Sequence, residues 1–436
     1  MDRPGGLEPA GVCEGRPFGA GCAFADATMV RAVPAPPFVS DRLAALAAAD
    51  LLRDPPVVET SDGVTGRVNG REAVVLCSND YLGLRCDPRV RAGAIEALEQ
   101  GAGAGSSRLI AGSLPIHRAL EDEIADWMGT EAALLCSSGY QANQALIGAL
   151  TGAGDLIVSD ALNHASLIDA CRLSRASVHR VPHSDVDAVH QVLGVAARPA
   201  SGPGTSPASP PSDTPNRAFV LGEGLYSMDG DRGPVAGWHA AATEVGAHLL
   251  VDEAHAVGVL GPQGRGTCAE VDVHPLARVG TLGKAFGAHG AFIATDAATR
   301  ALIVNAGRAY VFSTAVAPAV AGAARAALRI IRSDEGAARR ARVLSLARRL
   351  AEGAADLGFD LAAYDLDAPT PIVPVVLGSP ARAIAVAAAL LDRGVYAKAI
   401  RPPTVPPGTS RIRFTLSAAH TEEHVDRALK ALQQTG

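Results

Sequence analysis

The sequence predicts an α/β protein in which a mostly parallel sheet is flanked by helices and followed by a smaller C-terminal α+β domain. Short apolar runs alternate with helical patterns from about residue 90 to residue 320. Beyond that point, Ala- and Arg-rich helical segments alternate with short strands to the end of the chain. A length of 436 residues, of which 48% are hydrophobic, provides ample material for two or three buried cores.

Composition divides the chain into four segments and one insertion. The first residues are rich in Gly, Pro and Ala without periodicity, and a later stretch of Pro, Ser and Gly cannot bury enough apolar area to order itself. We predict a mobile extension over residues 1–38, a helix and hairpin segment over 39–89, a large domain over 90–325 with a disordered insertion at about 198–217, and a small domain over 326–436.

Periodicity and turn residues predict the individual elements. A short helix is expected from about Asp41, and Asn69 followed by glycine predicts a tight hairpin turn. Helical spacing predicts a helix that ends at Met128, with Ser113 as its N-terminal cap and Gly129 after its last turn. In open sheets of this type ligands bind at the carboxyl ends of strands, so functional residues are expected there. Buried strands are predicted at residues 133–136, 156–158, 218–221, 248–251 and 291–294.

Charge, hydropathy and cysteine content exclude several classes of protein. Lysine and arginine number 39 against 45 aspartates and glutamates, and the net charge of −6 argues against a nucleic-acid partner. No stretch approaches the roughly 18 apolar residues of a membrane span. The seven cysteines are widely spaced and form no C-x-x-C pair or zinc pattern. We therefore expect a cytoplasmic protein without a metal site or a membrane partner.

Two strand ends carry groups suited to a phosphorylated ring. After the strand ending in Cys136, residues 137–143 form a turn that opens a helix, whose free N–H groups suit a phosphate. Alone, this pattern fits a plain strand-to-helix turn better than a phosphate site. Asp252 ends another strand and can hold a ring nitrogen protonated, while His255 can donate to a neighbouring oxygen. A solvated turn and the second motif of helicase ATPases are the alternatives. The ATPase motif requires G-x-x-x-x-G-K-[ST], but the only Gly-Lys pair is followed by Ala285.

Lysine is rare in this chain, which narrows any chemistry that needs a primary amine. Only Lys284, Lys398 and Lys430 are available. Lys284 lies in a glycine-flanked turn after the hydroxyl of Thr281, where it could form a Schiff base to an aldehyde cofactor; a surface lysine in a turn is the alternative. His164, which follows a predicted strand, could stack on a flat ring or simply begin a helix.

These features occur in the order expected of a fold-type I pyridoxal-phosphate enzyme, and the chain resembles the α-oxoamine synthases. The resemblance extends from about residue 40 to the end. The matching segments are CSNDYLGL from Cys77, GAGAGSSRLIAG from Gly101, NHASLIDA from Asn163, LYSMDGDRGPV from Leu225, VDEAHAVGVLGPQGRG from Val251, GTLGKAFG from Gly280 and IRPPTVPPGTSRIRFTLSAAHT from Ile400.

The resemblance implies a role for each matching residue, toward pyridoxal 5′-phosphate or toward the substrate. Lys284, Asp252 and His164 would be the catalytic group, forming the Schiff base, pairing with the pyridine nitrogen and stacking on the ring. The remaining cofactor contacts would be Gly139, Tyr140 and Thr281 at the phosphate, His255 and Ser227 at the phenolic oxygen, and Ser313 and Thr314 reaching the site of a partner subunit. The substrate contacts would be Asn79, Arg401, Thr404 and His164, with Arg53 as the nearest candidate for an arginine that the family contributes from its N-terminal helix.

The resemblance also implies a reaction. Residues 400–404 (IRPPT) are most similar to the biotin-pathway branch of the family, which condenses L-alanine with a pimeloyl thioester and releases carbon dioxide. The implied partners are these small molecules, a second subunit in a homodimer with shared active sites, and either coenzyme A or acyl-carrier protein as the acyl carrier. Glycine C-acetyltransferase, 5-aminolevulinate synthase and serine palmitoyltransferase are the related alternatives. A catalytically silent scaffold subunit is an alternative of a different class.

Overall fold

The computed structural model describes residues 35–196 and 217–435. The predicted extension over residues 1–38 therefore lies outside the described residues except for its last four. The predicted insertion at 198–217 lies outside them except for Arg217. The described residues up to Leu52 form one unit, and those from Arg53 onward form a second. In the first unit, a single described helix runs over Pro37–Ala48 with no buried residue; it begins earlier than expected, at a proline, which is favoured in the first helical turn.

Strands and helices alternate through the second unit. The strands are β1 Val58–Thr60, β2 Thr65–Val68, β3 Arg71–Val75, β4 Ala132–Cys136, β5 Leu156–Asp160, β6 Ser177–Val181, β7 Ala218–Glu223, β8 His248–Asp252, β9 Ala277–Thr281, β10 Ala291–Thr295, β11 Ile372–Gly378, β12 Val395–Tyr396, β13 Lys398–Ile400 and β14 Ser410–Thr415. Counting the helix of the first unit as α1, the helices are α1 Pro37–Ala48, α2 Pro88–Ala97, α3 Pro115–Met128, α4 Gly139–Leu150, α5 Ala165–Leu173, α6 Val186–Ala196, α7 Val235–Glu244, α8 Thr267–Glu270, α9 Ala297–Ala306, α10 Arg308–Val311, α11 Pro318–Arg332, α12 Asp334–Asp356, α13 Pro380–Asp392 and α14 Glu422–Gln433.

The central sheet has seven strands in the order β4-β10-β9-β8-β7-β5-β6. All pairs from β9 to β6 are parallel, whereas β10 runs antiparallel to both of its neighbours. The mostly parallel sheet predicted from the sequence is thus confirmed. Each of the five predicted strands is present, and β6 and β9 are additional.

Side chains on both faces of this sheet are buried. Ile157 and Leu221 point into one apolar cluster with α4, while their neighbours Val158 and Val220 point into another with Trp238. A strand buried on both faces reads as a continuous apolar run, which is why these strands could be found from the sequence. No helix within the described ranges is long and apolar enough to cross a membrane.

The described part of the chain also contains two smaller sheets. One has the order β1-β2-β3-β12 and the other the order β11-β14-β13. The predicted hairpin turn is confirmed, because Asn69 and Gly70 join β2 to β3 with φ values of 48° and 81°, as a type I′ turn requires. The predicted boundary between residues 325 and 326 falls inside α11, and the division into large and small domains stays a prediction.

The prediction of Ser113 as a helix cap is wrong. Helix α3 begins at Pro115 with Leu114 at its N-terminal cap position, one residue later than expected, because proline is well suited to the first turn. The Ser113 hydroxyl instead accepts a hydrogen bond from Arg108 Nε at 3.2 Å. The other end is as predicted: Gly129 terminates α3 in a left-handed conformation with φ 66°.

Candidate active site

Four neighbouring strands of the central sheet direct side chains to one edge. Strands β5, β7, β8 and β9 run parallel, so their carboxyl ends lie side by side. Glu223 ends β7 and pairs in register with Asp252, the last residue of β8. His164 follows β5, and Lys284 follows β9. The topology therefore brings the predicted lysine, aspartate and histidine to the same edge.

Lys284 is half-buried in the turn after β9. Removal of solvent lowers the pKa of its amine to about 8, although the negative charges of Asp252 and Glu223 act in the opposite direction. The turn requires Gly287, which has φ +62° and whose added Cβ would lie 2.2 Å from the backbone nitrogen of Arg85. The amine is therefore held in a tight backbone turn and is far more often unprotonated than that of an exposed lysine, as a nucleophile or base requires.

Asp252 is buried and fixed at both oxygens. Oδ2 accepts a hydrogen bond from Asn143 Nδ2 at 2.7 Å, and Oδ1 accepts one from the backbone N–H of Ala254 at 2.9 Å. Its side chain is only 6% exposed. A carboxylate with this orientation can stabilise a protonated ring nitrogen placed against it.

His255 is buried beside the hydroxyl of Tyr81, with 2.5 Å between Nδ1 and the phenolic oxygen. Burial lowers the pKa of His255 well below its usual value, and the positive charges of Lys284 and Arg413 lower it further. The imidazole is therefore neutral. If Tyr81 donates to Nδ1, the proton of His255 lies on Nε2, which can donate to an oxygen of a bound ring.

Helix α4 begins where a phosphate was expected. Ser138 caps it by accepting from the backbone N–H of Gln141 at 3.1 Å, and a Cβ added at Gly139 would meet no atom within 4 Å. The backbone at Gly139, in the first turn of α4, therefore has open space beside it. The Tyr140 hydroxyl donates to Asp169, and its ring lies 6.5 Å from that of His164, centroid to centroid.

Three further predicted cofactor contacts lie near the start of α4 or beside the lysine turn: Thr281, expected at the phosphate, and Ser313 and Thr314, expected to reach the site of a partner subunit. Thr281 donates its hydroxyl to the carbonyl of Gly290 at 3.0 Å and accepts from the N–H of Gly283 at 3.2 Å. The carbonyl of Thr314 accepts from Ser137 Oγ at 3.0 Å, and the neighbouring Ser313 donates to Ala309. Both therefore lie beside residues 137–140 of their own chain, the turn at which a phosphate was expected and which we call the phosphate turn. Their reach into a partner's site stays a prediction.

The loop that carries Ser227 is fixed by a histidine between two carboxylates. His183 Nδ1 lies 3.0 Å from Asp160 Oδ1 and its Nε2 lies 2.8 Å from Asp231 Oδ2. Burial alone would lower the pKa of His183, but the two carboxylates outweigh it and raise the pKa to about 10. Because the imidazolium joins the end of β5 to residue 231, it holds two site loops together.

The substrate residues expected from the sequence fall in two groups. Asn79 lies in the site, where Oδ1 accepts from Arg413 Nη1 at 3.2 Å. Arg401 and Thr404 form a turn in which the N–H of Thr404 donates to the carbonyl of Arg401 at 3.1 Å. Arg53 contacts this turn from a distant part of the sequence, because its Nη2 donates to the carbonyl of residue 402 at 3.3 Å. Their roles toward a substrate stay predictions.

Relatives of known activity share this architecture. A family model described as aminotransferase class I and II matches residues 71–432. The chain belongs to this family. An 8-amino-7-oxononanoate synthase of Anaeromyxobacter dehalogenans is 46% identical over 402 residues, covering 91% of this chain and 94% of that protein.

Solved structures of two family members superpose on the chain. A serine palmitoyltransferase variant from S. paucimobilis, with a bound PLP–myriocin aldimine, is 31% identical with a TM-score of 0.81, covering 92% of this chain and 97% of that one. An 8-amino-7-oxononanoate synthase from Francisella tularensis is 25% identical with a TM-score of 0.68, covering 83% and 97%. The predicted fold-type I architecture is thereby confirmed.

Sequence analysis missed Arg413. This arginine on β14 is 6% exposed, and its Nη1 donates to Asn79 and to Thr415 Oγ1, while its Nε donates to the Ser227 carbonyl. Nη2 is buried without a hydrogen-bond partner among the described residues. A buried guanidinium nitrogen without a partner is costly unless an anion completes it, so Arg413 is a candidate carboxylate contact. The alternation in the segment from Ser410 could have shown it, since Arg411 and Arg413 share one face of a strand.

Asn143 and Tyr81 were also missed as site residues. Both lie inside or next to segments already noted in the sequence, but nothing in those segments indicates which polar side chain turns toward a strand end. The structure supplies that link through the contacts of Asn143 with Asp252 and of Tyr81 with His255.

Proposed function

We propose that this protein is a pyridoxal 5′-phosphate-dependent acyltransferase that condenses L-alanine with a pimeloyl thioester to give 8-amino-7-oxononanoate in biotin biosynthesis, in the cytoplasm. The observation that carries the proposal is the half-buried amine of Lys284, with its lowered pKa, set beside the fixed carboxylate of Asp252. The relative that is 46% identical over 91% of the chain supports the choice of substrates.

The residues present fit this cofactor. Lys284 supplies the amine for the aldehyde, Asp252 the partner for the pyridine nitrogen, and His255 a neutral donor for the phenolic oxygen. The open start of α4 at Gly139 suits the phosphate. Ser227, Tyr140 and Thr281 complete the proposed contacts. When bound, the cofactor withdraws electrons from the α-carbon of the amino acid.

The chain's own residues then handle the protons and the charge. Lys284, with a pKa near 8, can take the α-proton of alanine and return it to the product. Asp252 keeps its partner nitrogen protonated, and Arg413 offers its unfilled Nη2 to the alanine carboxylate. The α-carbon of alanine bonds to the acyl carbon as the carbon–sulfur bond breaks, and the thiolate takes a proton from solvent. The bond to the carboxylate then breaks to release carbon dioxide, and the proton held by Lys284 replaces it on the α-carbon.

We also propose that two copies of the chain form the working unit. Ile110 is 82% exposed and Phe312 is 73% exposed, and their loops are joined by the bridge between Ser107 and Thr314. This exposed apolar surface borders the phosphate turn. Its position supports a partner subunit packed against it, at the place where Thr314 was expected to reach the partner's site. Coenzyme A and acyl-carrier protein both remain candidates for the thiol carrier.

Turnover with competing substrates tests the function. Purified holoenzyme is supplied with pimeloyl, acetyl, succinyl and palmitoyl thioesters, each with alanine, glycine or serine. We expect alanine and the pimeloyl thioester to give the highest kcat/KM, with weak use of glycine because one methyl group is worth only about 1–3 kcal/mol. A preference for another acyl donor assigns the chain to a sister activity. A colourless protein that binds no cofactor indicates the scaffold alternative instead.

A further inference from the structure

Among residues 35–196 and 217–435, the ring of His164 forms hydrogen bonds through Nδ1 only, and both involve Ser166. Nδ1 lies 2.8 Å from Ser166 Oγ and 3.2 Å from the backbone nitrogen of Ser166. A backbone N–H can only donate, so this longer contact favours Nδ1 as an acceptor, and the closer hydroxyl of Ser166 can strengthen that preference by donating as well. A neutral imidazole that accepts at Nδ1 carries its proton on Nε2.

A buried amide defines the orientation of that serine hydroxyl. Asn143 Nδ2 donates to Ser166 Oγ at 2.9 Å and to Asp252 Oδ2 at 2.7 Å. A carboxylate can only accept, so the amide group of Asn143 must present its nitrogen to Asp252 and therefore also to Ser166. Because Ser166 Oγ accepts from Asn143, its own proton is free to go to His164 Nδ1.

The main chain of His164 is fixed as well. Its backbone N–H donates to Glu223 Oε1 at 2.6 Å, where Glu223 ends the neighbouring strand. Asn143 and Ser166 are each only 1% exposed, whereas His164 is an exposed residue. Partial burial lowers the pKa of His164; Asp252 opposes this shift and Lys284 adds to it. The neutral ring is therefore favoured.

We propose that Asn143 and Ser166 are positioning residues that hold His164 as the neutral Nε2–H tautomer, so that a single ring N–H faces an oxygen atom of the bound substrate. The inference rests on the proposed function only for the identity of that substrate. The same Asn143 amide holds Asp252, so the orientation of the histidine and of the strand-end carboxylate depend on one buried side chain.

Nitrogen NMR of the holoenzyme tests the tautomer directly. Histidine is labelled with ¹⁵N, and the His164 signals are identified by their loss in His164→Gln. We expect Nδ1 to lack a proton and Nε2 to carry one. In Ser166→Ala, which keeps only the weaker backbone donor, the opposite tautomer should become populated. Ser174→Ala is the matched control, because Ser174 is a buried serine at the other end of α5 whose hydroxyl donates to Cys171.

Turnover gives the second readout. Ser166→Ala should lower kcat by about 10- to 100-fold with little change in KM for alanine, since a misplaced histidine proton costs catalysis more than binding. Ser174→Ala should stay within about threefold of wild type. Asn143→Leu should show the same tautomer mixture as Ser166→Ala, which keeps the idea testable if one variant fails to fold.

The outcomes separate the two proposals. A wild-type His164 with its proton on Nδ1 overturns the inference, as does a Ser166→Ala variant with unchanged spectrum and turnover. A wild-type protein with the expected tautomer but no condensation activity contradicts the proposed function and leaves the inference standing.

Discussion

Replacing Asp252 with asparagine removes the negative charge that the account places against the cofactor ring, while keeping the size of the side chain. The two oxygens of Asp252 each accept one N–H, from Asn143 at 2.7 Å and from Ala254 at 2.9 Å. An asparagine has only one oxygen, so its NH₂ group must face one of these donors. Asp252→Asn therefore loses both the charge and one of the two contacts that orient the side chain.

The size of the effect follows from these two losses. A hydrogen bond to a charged group contributes about 1.5–3 kcal/mol, and a buried donor left without an acceptor costs about 1–3 kcal/mol. A positioned electrostatic stabiliser is typically worth about 10²–10³ in rate. We expect the exchange of the alanine α-proton with solvent to fall by about 10²–10³ in Asp252→Asn, while cofactor binding is retained through Lys284 and the phosphate turn.

Exchange of the alanine α-proton in D₂O, followed by proton NMR at saturating cofactor, measures this step without the acyl donor. Asp155→Asn is the matched control. Asp155 is also buried, but it directly precedes β5, at the edge of the sheet opposite the candidate site, and it is paired with Arg217. The Asp155→Asn variant should have a lower free energy of unfolding than wild type but the same rate of α-proton exchange. Exchange in Asp252→Asn within about threefold of wild type would refute the role assigned to this carboxylate.

Three further predictions concern the amine, the loop and the subunit contact. Capture of pyridoxal phosphate by the apoprotein requires the free amine of Lys284, so its rate should rise with pH to a midpoint near 8 rather than the ~10.4 of an exposed lysine; a midpoint near 10 contradicts the burial argument. His183→Asn leaves Asp160 and Asp231 without their buried cation and should lower the free energy of unfolding by about 3 kcal/mol, measured with urea at pH 6. The folded pKa of about 10 exceeds the ~6.5 of unfolded histidine, so this deficit should be largest below pH 6.5 and vanish as pH rises through 10; a deficit independent of pH counts against an imidazolium. Phe312→Asp should give inactive monomers in light scattering, and an active monomer contradicts a shared site.

The parts of the fold that can be predicted from the sequence are those determined by residues close together in the chain. Strands buried on both faces, such as β5 and β7, appear as apolar runs, and the hairpin follows from the left-handed preference of Asn69 and Gly70. The cap of α3 was misjudged by one residue because a proline displaced the expected serine. Strand β9 was missed although it leads into Lys284, since ARVGT is short and carries a charge.

The same distinction between local and long-range causes applies to the residues of the candidate site. Lys284 and Asp252 could be found because a strand end and a glycine-rich turn are local features. Arg413, Asn143 and Tyr81 reach the site through contacts between residues more than 100 positions apart. Alternation along β14 could have shown the face on which Arg413 lies, but a single sequence does not show which distant residues these side chains contact. Only the folded arrangement shows that these side chains complete the site.

The central claim is that the amine of Lys284 holds the cofactor at the carboxyl edge of the sheet. Borohydride reduction of the holoenzyme, followed by proteolysis and mass spectrometry, tests it most directly, because reduction makes the Schiff base permanent at the residue that formed it. We expect a pyridoxyl phosphate group on Lys284 and none on the other two lysines of the chain. A label on Lys398 or Lys430, or no label in a protein that binds the cofactor, would contradict it.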